Sequence, residues 1–157
     1  MMAAVLTVSD GVVAGTRDDR SGDILEERLR GAGFELAARR VVADERAEIT
    51  AALRDLAAAA DLVLSTGGTG FAPRDVTPEA TAEVIERPAP GLDEHMRAVS
   101  IAVSPHGMLS RGCSGICGSS LIVNMPGSPK ACAELFDAIA PALDHGLRLL
   151  LDLPTAH

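Results

Sequence analysis

The sequence predicts an α/β fold in three layers, a mostly parallel sheet covered by helices on both faces. Apolar runs of strand length at 3–8, 61–65 and 121–123 are nearly continuous, as strands buried on both faces must be, and a further strand is expected at about 34–42. Stretches with apolar residues at helical spacing separate them, and strand–helix alternation marks a parallel sheet. The third observation is positional. Segments 9–22, 65–78 and 124–130 each follow a predicted strand and are rich in Gly, Ser, Thr, Asp or Pro. Ligands of open parallel sheets bind outside the C-terminal strand ends, so these three loops are expected to share one crevice.

The elements follow in order. Residues 3–8 form a buried strand ended by Ser9-Asp10-Gly11, and 10–20 read as a turn-rich loop whose Asp18 and Asp19 are solvated. Ser21 is a plausible N-cap for a helix carrying Ile24, Leu25 and Leu29, stopped by Gly31 and Gly33. A second strand at about 34–42 precedes a helix that starts near Asp44, with Ile49, Leu53 and Leu56 at i, i+4 and i+7. The strand at 61–65 runs into Gly67-Gly68-Thr69-Gly70. Thr77-Pro78 reads as N-cap plus first-turn proline of a short helix, and 90–103 as another helix. Residues 107–118 are glycine-rich and irregular, a candidate hairpin arm. After the 121–123 strand, Ser128-Pro129 caps a last helix with Cys132, Leu135, Ile139, Leu143 and Leu150 along one face. With no repeat and no dividing linker, 1–157 is expected to be a single domain.

Charge and composition exclude some functions. Fourteen basic against twenty-two acidic residues leave −8, the wrong sign for a nucleic-acid backbone binder. With no Trp, no Tyr and three Phe, the chain also lacks aromatic platforms for base stacking. A small anion stays open, because glycine loops and helix N-termini make local anion sites whatever the global charge. The N-terminal run has no basic leader and is too short to span a bilayer, so no membrane association is expected. Three cysteines, an odd number, suit a reducing compartment, and a cytoplasmic location is expected. Cys113 and Cys117 lack a second ligand pair of zinc spacing and read as reduced thiols. His95, His106, His145 and His157 are scattered, and Ser110, Ser114 and Ser119 lack a nucleophile-elbow context.

Four stretches have chemistry to offer. Ser65-Thr66-Gly67-Gly68-Thr69-Gly70 exposes backbone amides and Thr hydroxyls, suited to a phosphate or simply to a tight turn. Asp75, in Arg74-Asp75-Val76-Thr77-Pro78, is a solvated aspartate, a partner for Arg74, or half of a cation site beside that loop. Asp44 is an N-cap, or, if it faces the same crevice, the second carboxylate. Asn124-Met125-Pro126-Gly127-Ser128-Pro129-Lys130 places a helix N-terminus and a lysine after a central strand, an anion site or a proline-rich turn.

In this order, with Thr7-Val8-Ser9-Asp10, Asp19-Arg20-Ser21-Gly22, Pro73 to Ala80, Pro90-Gly91 and Leu109-Ser110-Arg111, these segments resemble the MogA/MoaB family of molybdenum-cofactor biosynthesis proteins, which includes the G domains of gephyrin. The resemblance runs over nearly the whole chain. It implies a three-layer α/β/α fold, a homotrimer, and binding of molybdopterin, a pterin with a dithiolene and a terminal phosphate. MogA-like members adenylylate it with Mg-ATP and release pyrophosphate; molybdate is inserted afterwards, and a partner protein is one route for that. By position, Thr66, Gly67, Gly68, Thr69 and Gly70 would hold phosphate. Asp44 and Asp75 match the family's two functional aspartates and would bind Mg²⁺. Ser110 matches a ligand-binding serine, and Asn124, Pro126 and Gly127 line the other side, with Thr7, Ser9 and Asp10 at the end of the first strand.

Three functions then compete: adenylyl transfer, molybdopterin binding without catalysis as in some MoaB-type members, and a gephyrin-like scaffold. Ala14-Gly15-Thr16-Arg17-Asp18-Asp19 looks slightly more MoaB-like, retention of both Asp44 and Asp75 favours catalysis, and no linker or further domain supports a scaffold.

Overall fold

A computed structural model describes residues 1–155. Its six strands are β1 (Met2–Val8), β2 (Glu35–Val42), β3 (Leu62–Thr66), β4 (Arg87–Pro88), β5 (Ser114–Cys117) and β6 (Ser120–Met125), forming one sheet in the order β2-β1-β3-β6-β5-β4. The first four in that order pair in parallel, while β5 and β4 add an antiparallel edge. The helices are α1 (Asp10–Val13), α2 (Arg20–Gly31), α3 (Arg46–Ala59), α4 (Thr77–Ala82), α5 (Pro90–Val103) and α6 (Pro129–Leu150), with a 3₁₀ turn at Pro105–Leu109.

The strands' two side-chain faces build two cores. Ala3, Val5, Leu62, Leu64 and Val123 pack against α2, α5 and α6 through Leu25, Met96, Phe136 and Ile139. Ala4, Leu6, Val63 and Ile122 pack against α3 and α4 through Ile49, Leu53, Leu56 and Ala80. Alternate residues of one strand therefore feed opposite layers, which is why β1 and β3 read as unbroken apolar runs. The expected three-layer α/β/α architecture with a mostly parallel sheet is what forms.

Several boundaries differ from the sequence reading, and side-chain hydrogen bonds, local and distant, account for most of them. Segment 10–20 is not all loop: Ser9 caps the one-turn α1, its hydroxyl accepting from the Val12 amide at 3.3 Å. Asp19, not Ser21, caps α2, accepting from the Gly22 amide at 3.0 Å. Nor is Asp19 a solvated loop residue; it also accepts from Thr7 Oγ1 and Arg39. The Ser21 hydroxyl instead donates to the Gly127 carbonyl at 2.7 Å. Asp44 does not cap α3, where Glu45 stands at the N-cap without a side-chain bond. Thr77 lies inside α4 rather than at its cap, and its hydroxyl donates to the Gly67 carbonyl at 2.9 Å. Ser128 does cap α6, and α5 spans the expected 90–103. The irregular 107–118 stretch resolves into the end of the 3₁₀ turn and the β5 arm of a hairpin with β6.

Among the described residues no helix is long and apolar enough to cross a membrane. Cys113, Cys117 and Cys132 are free thiols, and burial pushes Cys113 and Cys132 up to about 11. His157 lies outside the described residues.

Candidate functional site

β1, β2, β3 and β6 are parallel, so their C-terminal ends share one edge of the sheet. The chain leaves β1 for β2 on one side and crosses to β3 on the other, which makes the β1/β3 gap a topological switch point. The loop after β3 lies over that gap and organises the site.

Its shape depends on two glycines. Gly67 has φ +95° and Gly68 φ +65°, conformations that L side chains rarely adopt. A Cβ on Gly67 would collide with the Val8 carbonyl oxygen, and one on Gly68 with the Thr77 hydroxyl. The loop therefore lies against β1 with its backbone uncovered. Arg111 clamps it from behind: its guanidinium donates to the carbonyls of Gly70 (2.7 Å) and Asp75 (2.6 Å) and pairs with Glu79, while its amide donates to the Thr69 carbonyl (2.9 Å).

Two cavities flank the loop. The first, about 500 Å³, lies over the switch point. Thr7, Ser9, Thr66, Gly67, Gly68 and Gly127 of the expected site line it, together with Asp44 and Asp75. The N-terminal residues of α2 (Arg20) and α6 (Pro129) also reach its wall, and helix N-termini favour anions. The second, about 370 Å³, lies over β6 and is lined by Thr69, Gly70, Ser110, Asn124 and Pro126 of the expected set. Met96, Val103, Leu109 and Leu135 make much of its remaining wall apolar. The single crevice expected from the sequence is thus two chambers.

The acidic residues are arranged around the loop. Asp44 Oδ1 stands 3.3 Å from where a Cβ on Gly68 would be, and Asp75 Oδ2 stands 2.9 Å from the same point on Gly70. The two carboxylates thus abut the same loop. Burial raises the Asp44 carboxyl above its ordinary range; the Asp10 amide opposes this, while the charges of Asp10 and Asp75 reinforce it. Asp75 is not a partner of Arg74 but accepts from the Ala72 amide at 2.9 Å. Among the described residues, no cluster of three or more His, Cys, Asp or Glu is placed to hold a metal by itself.

Three expected site residues have other work. Asp10 lines neither cavity; it pairs with Arg74 at 2.9 Å, and the Asp44 amide and Arg74 hold its carboxyl below the usual range. Asn124 reaches the second cavity's wall, but its amide nitrogen donates to Ser65 and Thr81 hydroxyls, both at 2.9 Å, and its oxygen accepts from the Cys113 amide. Thr66 donates to the Pro126 carbonyl at 2.6 Å beneath the first cavity. Lys130, expected at an anion site, pairs with Glu134 on the exposed surface instead.

The sequence reading missed Arg17 and Arg20, which place positive charge in the first cavity of an acidic protein. Two arginines in a glycine-containing loop after the first strand were the available signal. It also missed Asp93, Arg97 and Ser100 in the second cavity, for which helical spacing along 93–100 was the only hint.

A family model described as "Probable molybdopterin binding domain" matches residues 4–145. The chain is 40% identical over 154 residues to the molybdopterin adenylyltransferase of Helicobacter pylori strain J99, covering 94% of this chain and 86% of that protein. It is 42% identical over 152 residues to the molybdenum cofactor synthesis protein cinnamon of Drosophila melanogaster, of which it spans 25%. The solved structure of the molybdopterin biosynthesis enzyme MoaB from Thermus thermophilus superposes with a TM-score of 0.91 at 45% identity, covering 98% of both chains. The chain belongs to the molybdopterin-binding family of molybdenum-cofactor biosynthesis proteins, the MogA/MoaB group to which the gephyrin G domain is related.

Proposed function

We propose that this chain transfers the adenylyl group of Mg-ATP to molybdopterin, giving adenylyl-molybdopterin and pyrophosphate. The observation that carries the reading is the pair of chambers meeting at one glycine loop, with a carboxylate against Gly68 and another against Gly70. Each chamber is of a size that takes a small ligand. The polar one, with Arg17, Arg20 and two helix N-termini, suits nucleotide phosphates; the more apolar one suits a flat ring system.

A terminal phosphate oxygen of molybdopterin attacks the α-phosphorus of ATP, a new P–O bond forms, and the bond to the β-phosphate breaks. Gly67 and Gly68 present backbone amides at the junction, and Arg17 and Arg20 steady the polyphosphate. Asp44 and Asp75 would hold Mg²⁺, their hard oxygens supplemented by those of the phosphates, a donor set that suits this ion. Bound there, Mg²⁺ supplies charge neutralisation for the leaving pyrophosphate. The transfer requires no protein nucleophile; positioning and electrostatics carry transfers of this kind.

The chain is further proposed to form a homotrimer, a second copy covering apolar surface such as Phe71, Val103 and Met108, which are 68%, 67% and 61% exposed. A cytoplasmic location and a molybdate-inserting partner complete the proposal.

The test is anaerobic incubation with molybdopterin and Mg-ATP, scoring adenylylated pterin for the wild type and for Asp44→Ala. Product lost in the variant supports the assignment. Tight pterin binding without product in the wild type replaces it with the second reading, a MoaB-type binding protein.

A further inference from the structure

Asp93 is an acidic side chain in an unusual place. It sits in the first turn of α5, on the wall of the second cavity, and is only 6% exposed. Its Oδ2 accepts from the Ser114 amide at 2.9 Å and its Oδ1 from the Ser114 hydroxyl at 2.6 Å. Arg97, one turn along the same helix, donates to the Gly112 carbonyl at 3.0 Å instead of pairing with it. Both donors to Asp93 are therefore neutral and come from one residue. A carboxylate has about four lone-pair sites, so each oxygen keeps capacity for a second donor.

We infer that Asp93 selects the occupant of this cavity by accepting hydrogen bonds from a ring edge that carries two adjacent N–H donors, the 2-amino and N3–H edge of a pterin. This rests on the reading that the pterin occupies the second cavity. A carboxylate and such an edge pair through two parallel hydrogen bonds, strengthened by the charge on the acceptor. An adenine has no such pair of adjacent donors, so Asp93 would also keep the nucleotide base out. Burial raises the Asp93 carboxyl above its usual range against the pull of Ser114, so the buried charge gains from any ligand that brings donors.

Holding the start of β5 through Ser114 is the purely structural role, and Asp93→Asn separates the two. An asparagine oxygen can accept from the Ser114 amide while its NH₂ donates to the Ser114 hydroxyl, but that NH₂ replaces an acceptor with a donor. The probes are pterin and lumazine, which differ by oxygen in place of the 2-amino group, titrated by their fluorescence. Amide chemical shifts of Ser100, Ser110 and Ser128 report whether this cavity is filled. The wild type is expected to bind pterin about 10- to 100-fold more tightly than lumazine, and Asp93→Asn to lose that preference with its melting temperature unchanged. A wild-type ratio within about threefold overturns the inference without any variant. So does a retained preference in folded Asp93→Asn, or pterin that leaves those three amides unmoved. Adenylylation of molybdopterin is scored alongside: wild-type transfer with no pterin preference sinks the role of Asp93 alone. A selective pterin site in a chain that transfers nothing supports Asp93 and sinks the transferase reading.

Discussion

Asp10 and Asp44 exchange hydrogen bonds: the Asp10 amide donates to Asp44 Oδ2 at 2.8 Å, and the Asp44 amide donates to Asp10 Oδ1 at 3.0 Å. This reciprocal pair ties the start of α1 to the turn between β2 and α3. Arg74 extends it, holding Asp10 and, at 2.8 Å, Glu45. The proposed metal carboxylate is thus oriented by residues that do not line the cavity.

Asp10→Ala should therefore act through Asp44. Loss of an orienting partner typically lowers metal affinity or activity by about 10- to 100-fold, and that range is expected for Mg²⁺-dependent transfer. Isothermal titration with Mg²⁺ and nucleotide, set beside transfer rates, checks it. Unchanged affinity would show that the exchange matters only for folding.

Asp44→Asn tests the buried charge. The folded-state carboxyl of Asp44 is raised, so protonated Asp44 favours the native state below the unfolded pKa, and that advantage is lost as pH rises through the folded value. Without Mg²⁺ the variant should melt higher than the wild type at pH 7, and the difference should vanish at pH 3. Mg²⁺ at a hundredfold excess over its Kd adds about 2.7 kcal/mol to the wild type, roughly 5–10 °C, and none to the variant. Differential scanning calorimetry across pH reads both effects.

Gly67→Ala combines positive φ with a collision against Val8. A cost of about 1–3 kcal/mol follows, with a melting temperature lower by roughly 2–12 °C and loss of nucleotide binding. Gly146→Ala is the control: exposed in α6 with open space at its Cβ position, it should stabilise by about 0.5–1 kcal/mol. Equal melting temperatures for the two variants would contradict the account of the loop.

Asn124→Ala should weaken the fold more than the ligand contact. The residue is 3% exposed and bridges Ser65, Thr81 and the Cys113 amide, so truncation strands buried donors and acceptors at about 2–4 kcal/mol. Urea unfolding measures it. A loss under about 0.5 kcal/mol, with pterin affinity reduced, would return Asn124 to the role of ligand contact.

Light scattering after size exclusion should show a trimer at micromolar concentration. A monomer there would overturn the assembly proposed from the exposed Phe71, Val103 and Met108.

The layers, and the edge where the site lies, follow from the order of residues alone. Apolar runs such as Ala3 to Val8 have no polar side to offer solvent, so burial on both faces was their one stable outcome. Gly67 and Gly68 after β3, and Ser128-Pro129 before α6, are local signals whose cause is backbone geometry within a few residues. Nearly all the expected site residues accordingly lie at one sheet edge. What each carboxylate does was decided only by tertiary structure. Asp19 left the solvent for Thr7 and Arg39, Asp44 turned from capping α3 to Asp10, and Asp10 took Arg74, 64 residues away. The loop that stands between the two chambers is likewise held by Arg111, 41 residues further along the chain. A short polar side chain has several partners of similar strength, and residue spacing along the chain cannot rank them. Packing does, by bringing one partner close and shutting water away from the rest.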